Sequence, residues 1–362
     1  MHNLAQIKAE FTGFSRISEQ AIASFRHLLP RLVFLVNEKF EVDNKFCCEK
    51  PLDTYLEFLK DMHGNFGDTL LAIYEFNLYP ALIEEFSWLV SVLHYRGFER
   101  EYFDKMLDSW IMAIHGTIEP TLSRELVQPL RILQRNLSEF LKRSEITSEP
   151  ETPAQQEFTD LLLEKRRRDA TDYMMALLEK GNEPSDVCSG ILMPALKQIG
   201  ILWQKNKISA ADEHAATEIC RYIIFRLCDS IPREKPLPYK ALVSCVPGEE
   251  HEMGAEIMAS YLESKGWRVY FVGHSAPEQD NVDAITKHRP DVVFLSVTLI
   301  SNLPETVEFL KKIRKISSEL KIILGGKAAV TAKETVQDFA DVIIDDYKEV
   351  HPKALELLGK NA

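Results

Sequence analysis

The sequence predicts three folded parts in one chain: an all-helical N-terminal domain over residues 1–143, a four-helix bundle over 158–232, and a doubly wound parallel α/β domain over 239–360. Three observations predict this. Apolar residues recur every three or four positions through the first 143 residues and again from 158 to 232, the period of helices with one buried face. Two polar, proline-bearing stretches, 144–157 and 232–240, break that period and read as connections. Beyond Tyr239, short apolar runs and amphipathic helical patterns exchange five times, the signature of a parallel sheet covered on both faces.

Composition agrees. The chain has 362 residues, 45% apolar and 27% charged, enough for two or three ordinary cores. A net charge of -12 argues against broad binding to nucleic acid or an anionic membrane, which needs a surplus of Lys and Arg. No apolar run approaches the roughly 18 residues of a membrane span, and the opening MHNLAQIKAEF lacks a secretory pattern, so a cytoplasmic location is expected. The six cysteines form no CxxC pair, so reduced thiols are expected.

In the N-terminal part, EEFSWLVSVLHYRGFEREYFDKMLDSWIMAI is the most patterned stretch. Trp88, Val92 and Tyr95 share one helical face, and Phe103, Leu107, Trp110 and Ile114 share another on the next helix. In the middle part, FTDLLLEKRRRDATDYMMALLEKG and SDVCSGILMPALKQIGILW carry the helical period. The α/β part offers strands in KALVSCV, WRVYFVG, DVVFLSV, KIILGG and DVIID. Ligands of such sheets bind at the carboxyl ends of the strands.

Chemistry-bearing residues gather at those ends. GEEHEMG follows the first strand and brings Glu249, His251 and Gly254. A neutral imidazole is a good transition-metal ligand, and a carboxylate on its other nitrogen fixes the tautomer and raises its basicity. Gly254 lets the backbone approach a large planar ligand. Ser296 and Thr298 end the third strand, and Gly325 and Gly326 end the fourth; together they leave room for a slot beside the sheet. In the helical part, WQKNKISAADEH sets Trp203 ten residues before Glu213 and eleven before His214, an indole, a carboxylate and an imidazole able to cap one ligand.

This order of motifs resembles the cobalamin-binding fold, Rossmann-like and flavodoxin-like in topology. The resemblance implies that His251 is the lower cobalt ligand and that the slot holds the nucleotide tail. The Trp-x9-Glu-His pattern resembles the helical cap of the light-sensing cobalamin proteins. It implies adenosylcobalamin as cofactor, with Trp203 over its upper face and Glu213 against the adenosyl group. Glu249 stands where corrinoid methyltransferases and mutases usually have aspartate. No stretch resembles a substrate-binding barrel, so a sensor rather than an enzyme is implied, with a homo-oligomeric state that changes in light. The rival is a corrinoid carrier for a methyltransferase system; a cobalamin storage or trafficking module is a third reading. In some light-sensing repressors a histidine directly follows the capping tryptophan, whereas this chain has Gln204. His214 is then either a substitute ligand or a packing residue.

The N-terminal part lacks the basic helix-turn-helix of those repressors. It loosely resembles globin-like sensor helices, with His94 as a candidate haem ligand. In overall plan it is closer to the photocobilins, whose additional helical domain binds a bilin. That resemblance implies biliverdin as a second chromophore, with His94, Arg96 and Arg100 near its propionates and Cys47 or Cys48 as attachment points; a solvated helix end explains the same residues.

Overall fold

The computed structural model describes residues 2–14, 16–45, 55–145, 150–273 and 277–360. Cys47 and Cys48 lie outside them. The chain divides into two compact units, 1–146 and 147–362.

The first unit is helical among its described residues: α1 (His2–Thr12), α2 (Glu19–Lys45), α3 (Leu56–Phe76), α4 (Tyr79–Tyr95), α5 (Arg100–Thr117), α6 (Pro120–Arg135) and α7 (Leu137–Lys142). Helix α2 packs on α3 and α5, and α5 on α6. Aromatic residues fill the core because each buries a large apolar area. Trp110 lies against Phe25 and Phe66, and a Cβ on Gly67 would come within 2.7 Å of its ring. Phe103, Leu107, Trp110 and Ile114 are fully buried, as their spacing predicts. Trp88 departs from expectation: Val92 on the same helix is buried, but Trp88 is 40% exposed. Its face therefore only partly turns inward.

The second unit begins with a helical subdomain: α8 (Pro153–Leu163), α9 (Arg167–Glu179), α10 (Pro184–Val187), a π-helical turn at Cys188–Leu192, α11 (Met193–Gln204) and α12 (Ala210–Asp229). Helix α8 starts inside the expected 144–157 connection. Thr152 and Gln155 form a reciprocal capping box there, with Pro153 in the first turn, a helix start that a polar, proline-bearing stretch conceals. Ser209 and Asp212 cap α12 in the same way. Phe158, Leu162, Met174, Leu192, Ile199 and Ile223 form the bundle core.

The sheet consists of β1 (Lys240–Cys245), β2 (Arg268–Gly273), β3 (Val292–Ser296), β4 (Lys321–Gly325) and β5 (Val342–Ile344), wholly parallel in the order β2-β1-β3-β4-β5. Helices α13 (Met253–Ser264), α14 (Glu278–His288), α15 (Leu303–Ile316), α16 (Lys327–Thr331), α17 (Lys333–Val336) and α18 (Val350–Leu357) cover it. The strand order reverses between β1 and β3, and parallel sheets open a crevice at such a point. Cys245 pairs with Ser296 there, so the loops after β1 and β3 emerge side by side.

The proline-rich connection between bundle and sheet is stitched down. Glu234 N donates to Ser264 O at 2.7 Å and Leu237 N to Gly266 O at 2.7 Å. Gly266 sits at φ 82, and any Cβ there would strike Lys235 O. No helix of the described residues is long and apolar enough to cross a membrane.

Candidate functional site

The turn after β1 folds back so that Glu249 is completely buried while the His251 side chain stays 56% exposed. Both Glu249 oxygens are engaged. Oε1 accepts from His251 Nδ1 at 2.6 Å and from His251 N at 2.9 Å. Oε2 accepts from Thr298 N at 2.7 Å, Leu299 N at 3.0 Å and Asn302 Nδ2 at 3.1 Å. Burial alone would raise the Glu249 pKa, but these hydrogen bonds, the His251 ring first, outweigh it and hold the carboxyl at about 2. The same carboxylate raises the His251 pKa. With Nδ1 committed to the carboxylate, the free lone pair of the neutral ring is on Nε2, which is the tautomer a metal ligand needs.

His251 opens onto a cleft of about 760 Å³ within the second unit. The sheet side supplies His251, Gly254, Ser296, Thr298, Gly325 and Gly326; the bundle supplies Glu213, His214, Met193 and Leu196, among others. Glu249 stands behind His251 rather than in the wall. A Cβ added at Gly254 would meet nothing within 4 Å, so the cleft has free volume directly over the start of α13. Gly326 has a different role. At φ 99 its Cβ would lie 2.2 Å from Val297 O, so the β4–α16 turn itself requires glycine.

On the bundle side, His214 Nδ1 lies 2.9 Å from Glu213 Oε2, and Glu213 Oε1 accepts from Thr217 Oγ1 at 3.0 Å. Trp203 is set apart from the other expected residues. It lies half-buried in the last turn of α11 and does not line the cleft. Asn206 N donates to Trp203 O at 2.9 Å in a turn where Asn206 is left-handed, φ 54, ahead of the Ser209 cap of α12.

Two contributors escape a reading of the sequence. Asn302 pins Glu249 from the loop after β3, about fifty residues away. Arg221 on α12 reaches α13 and binds Glu252 at 2.5 Å and Glu256 at 2.7 Å, clasping bundle to sheet beside the cleft. Only the basic residue facing a Glu-x-x-x-Glu pair hints at the second, and nothing local hints at the first.

The donor set fits a metal that brings its own equatorial ligands. Among the described residues no three His, Cys, Asp or Glu side chains cluster to hold a bare ion, yet one carboxylate-locked imidazole faces an open cleft. Fold and site together define a cobalamin-binding unit. Residues 239–355 match the B12 binding domain family, and 154–227 match a second, helical B12 binding domain family, so this chain carries both B12-binding domains. Among curated relatives, the HTH-type transcriptional repressor CarA of Myxococcus xanthus is 28% identical over 245 residues, 65% of this chain and 81% of CarA. The HTH-type transcriptional repressor CarH of the same organism is 28% identical over 165 residues, 45% of this chain, which spans only 53% of CarH. Dimethylamine corrinoid protein 1 of Methanosarcina acetivorans is 24% identical over 196 residues, 52% of this chain and 91% of that protein.

Proposed function

We propose that this protein is a light sensor that uses adenosylcobalamin, with His251 as the lower cobalt ligand. One observation carries the reading: a fully buried Glu249 fixes the His251 tautomer so that Nε2 faces a cleft walled on the other side by Glu213 and His214 of the bundle. When bound, adenosylcobalamin supplies a cobalt–carbon bond that visible light breaks. Ser296, Thr298, Gly325 and Gly326 accommodate the nucleotide tail beside the sheet. Glu213, which lines the cleft, would contact the adenosyl group, with Trp203 at the end of α11 as the neighbouring indole of the cap. Without that group the bundle would lack a filler and its packing against the sheet would differ, a two-state change biased by ligand. Quaternary structure changes with it, and the protein acts as a sensor rather than an enzyme. The N-terminal unit, helical and aromatic-rich in the manner of globin-like sensors, carries biliverdin near His94, or haem at His94 as the lesser alternative.

The test is spectroscopic. Full-length protein with adenosylcobalamin should show a histidine-ligated spectrum in the dark that changes on illumination, and His251→Ala should lose it. Expression with biliverdin should add absorption beyond 600 nm, as roughly expected of a bilin, that removal of residues 1–143 abolishes. A corrinoid carrier for methyl transfer is the second reading. Trp203 standing outside the cleft wall favours it, because methyl transfer needs an upper face that a partner can reach. Equal binding of methylcobalamin and adenosylcobalamin, with no change of assembly in light, would select the carrier.

A further inference from the structure

The second unit holds another cavity, of about 300 Å³, which shares Ser185, Cys188, Ile257 and Tyr347 with the cleft but includes neither His251 nor any residue at the ends of β1, β3 and β4. Its walls are largely apolar: Ile224 and Leu227 of α12, Ile231 and Pro232 of the connection, and Tyr261 of α13. Cys188 and Cys228 add to them. Burial pushes the Cys188 thiol up to about 11 and raises that of Cys228, so both stay neutral and behave as small apolar groups. The connection is held in place as one rim, because Ser264 O, in the same wall, takes the Glu234 N–H at 2.7 Å. Cys188 opens the π-helical turn Cys188–Leu192, and such turns gather at functional sites. The charged lining is Lys265, Lys348 and Glu183, of which Lys348 and Glu183 are exposed and so mark the open edge. Lys265 Nζ is held by Glu234 at 2.6 Å, whereas Lys348 has no carboxylate partner among the described residues. Burial pushes the Tyr347 pKa to about 12, so its hydroxyl remains a donor.

We propose that this cavity binds a medium-chain monocarboxylate, with its chain between α12 and α13 and its carboxylate at Lys348 and the Tyr347 hydroxyl. The class follows from size and polarity. At roughly 30 Å³ per non-hydrogen atom, the share of one water in the liquid, the space admits about ten such atoms, the size of octanoate. An acyl chain suits the isoleucine, leucine and thiol walls, where each buried methylene adds to affinity. A neutral hydrocarbon would leave the Lys348 ammonium unused, and a dicarboxylate would set a second charge against apolar wall or Glu183. The site stands independently of the cobalamin reading, since it uses none of the groups around His251.

Calorimetric titration of the full-length protein with straight-chain carboxylates tests this, with and without bound cobalamin. Affinity should rise about fourfold per methylene from butanoate to octanoate, the scale of burying one methylene, and gain little beyond decanoate once the cavity is full. Octanoate should still bind the cobalamin-loaded protein. Cys228→Phe puts a ring into the cavity and should abolish octanoate binding while cobalamin binds as before. Lys348→Gln, an exposed change that leaves the fold intact, should weaken octanoate by up to about fivefold, the scale of an exposed ion pair, and leave methyl octanoate unaffected. No saturable binding of octanoate, an affinity indifferent to chain length, or full displacement by cobalamin would overturn the site. Equal octanoate affinity in wild type and Lys348→Gln would overturn the placement of the carboxylate, whatever becomes of the cobalamin reading.

Discussion

Glu249 shows how one buried carboxylate can prepare a ligand. It is charged at neutral pH only because five donors surround it, and it gives His251 a fixed orientation and tautomer. Glu249→Gln keeps the shape but forfeits the charge, so cobalamin affinity should fall by about 10- to 100-fold, measured by equilibrium titration. Another buried histidine, His63 in the first unit, has a stability role. Nδ1 meets Asn37 Oδ1 at 2.7 Å, Nε2 meets the Tyr102 hydroxyl at 3.0 Å, and Phe40 packs on the ring. Burial lowers its pKa to about 4, so the folded ring stays neutral where the unfolded chain, with a pKa near 6.5, takes up a proton. Stability should therefore rise with pH from 4 to 6.5 and be lost as pH falls through that window, by up to about 3 kcal/mol. Urea unfolding of wild type near pH 7 and near pH 5 should show the loss, and His63→Gln should remove this part of the pH dependence.

At the scale of elements, two features position the site. The β4–α16 turn requires glycine at 326, where a side chain would meet the Val297 carbonyl and occupy an unfavourable φ. Gly326→Ala should cost about 1–3 kcal/mol in thermal or urea unfolding. The Arg221 clasp joins α12 to α13 through two carboxylates, Glu252 and Glu256, that are nearly buried. Arg221→Met leaves them without their cation and should destabilise the second unit by roughly 3 kcal/mol, the lower end for a broken buried pair because Arg221 is partly exposed. All five strands were legible as short apolar runs between turn residues, since a sheet covered on both faces needs continuous apolar segments. The start of α8 was not, because its capping box is written in Thr152, Pro153 and Gln155, residues that also make connections.

For the whole molecule, the Glu249–Gly254 loop was legible because its parts lie within six residues and after a recognisable strand. Asn302 and Arg221 were not, because their partners are brought close only by the reversal of strand order and by the folding of bundle onto sheet. The resemblance carried by the Trp-x9-Glu-His spacing implied a capping Trp203, and that spacing does not reveal that Trp203 is absent from the cleft wall. The N-terminal unit was legible as helical and aromatic-cored, but not in its polar ends. Arg96 gives Nη1 to Val92 O at 2.8 Å and stacks on Phe58, and Arg100 is engaged by Asp104 and Ser138, whereas His94 Nδ1 is buried with no hydrogen-bond partner among the described residues. The Tyr79 hydroxyl and Trp110 Nε1 of the same unit are likewise buried without a hydrogen-bond partner among the described residues, so His94 is one of three such groups there. The central claim, that light acts on a cobalamin held by His251, is tested most directly by the absorption spectrum of the full-length protein with adenosylcobalamin before and after visible illumination, alongside His251→Ala. The account predicts a histidine-ligated dark spectrum that converts on illumination in the wild type and is absent from the variant; a wild-type spectrum equal to that of free adenosylcobalamin, or one shared by His251→Ala, would contradict it.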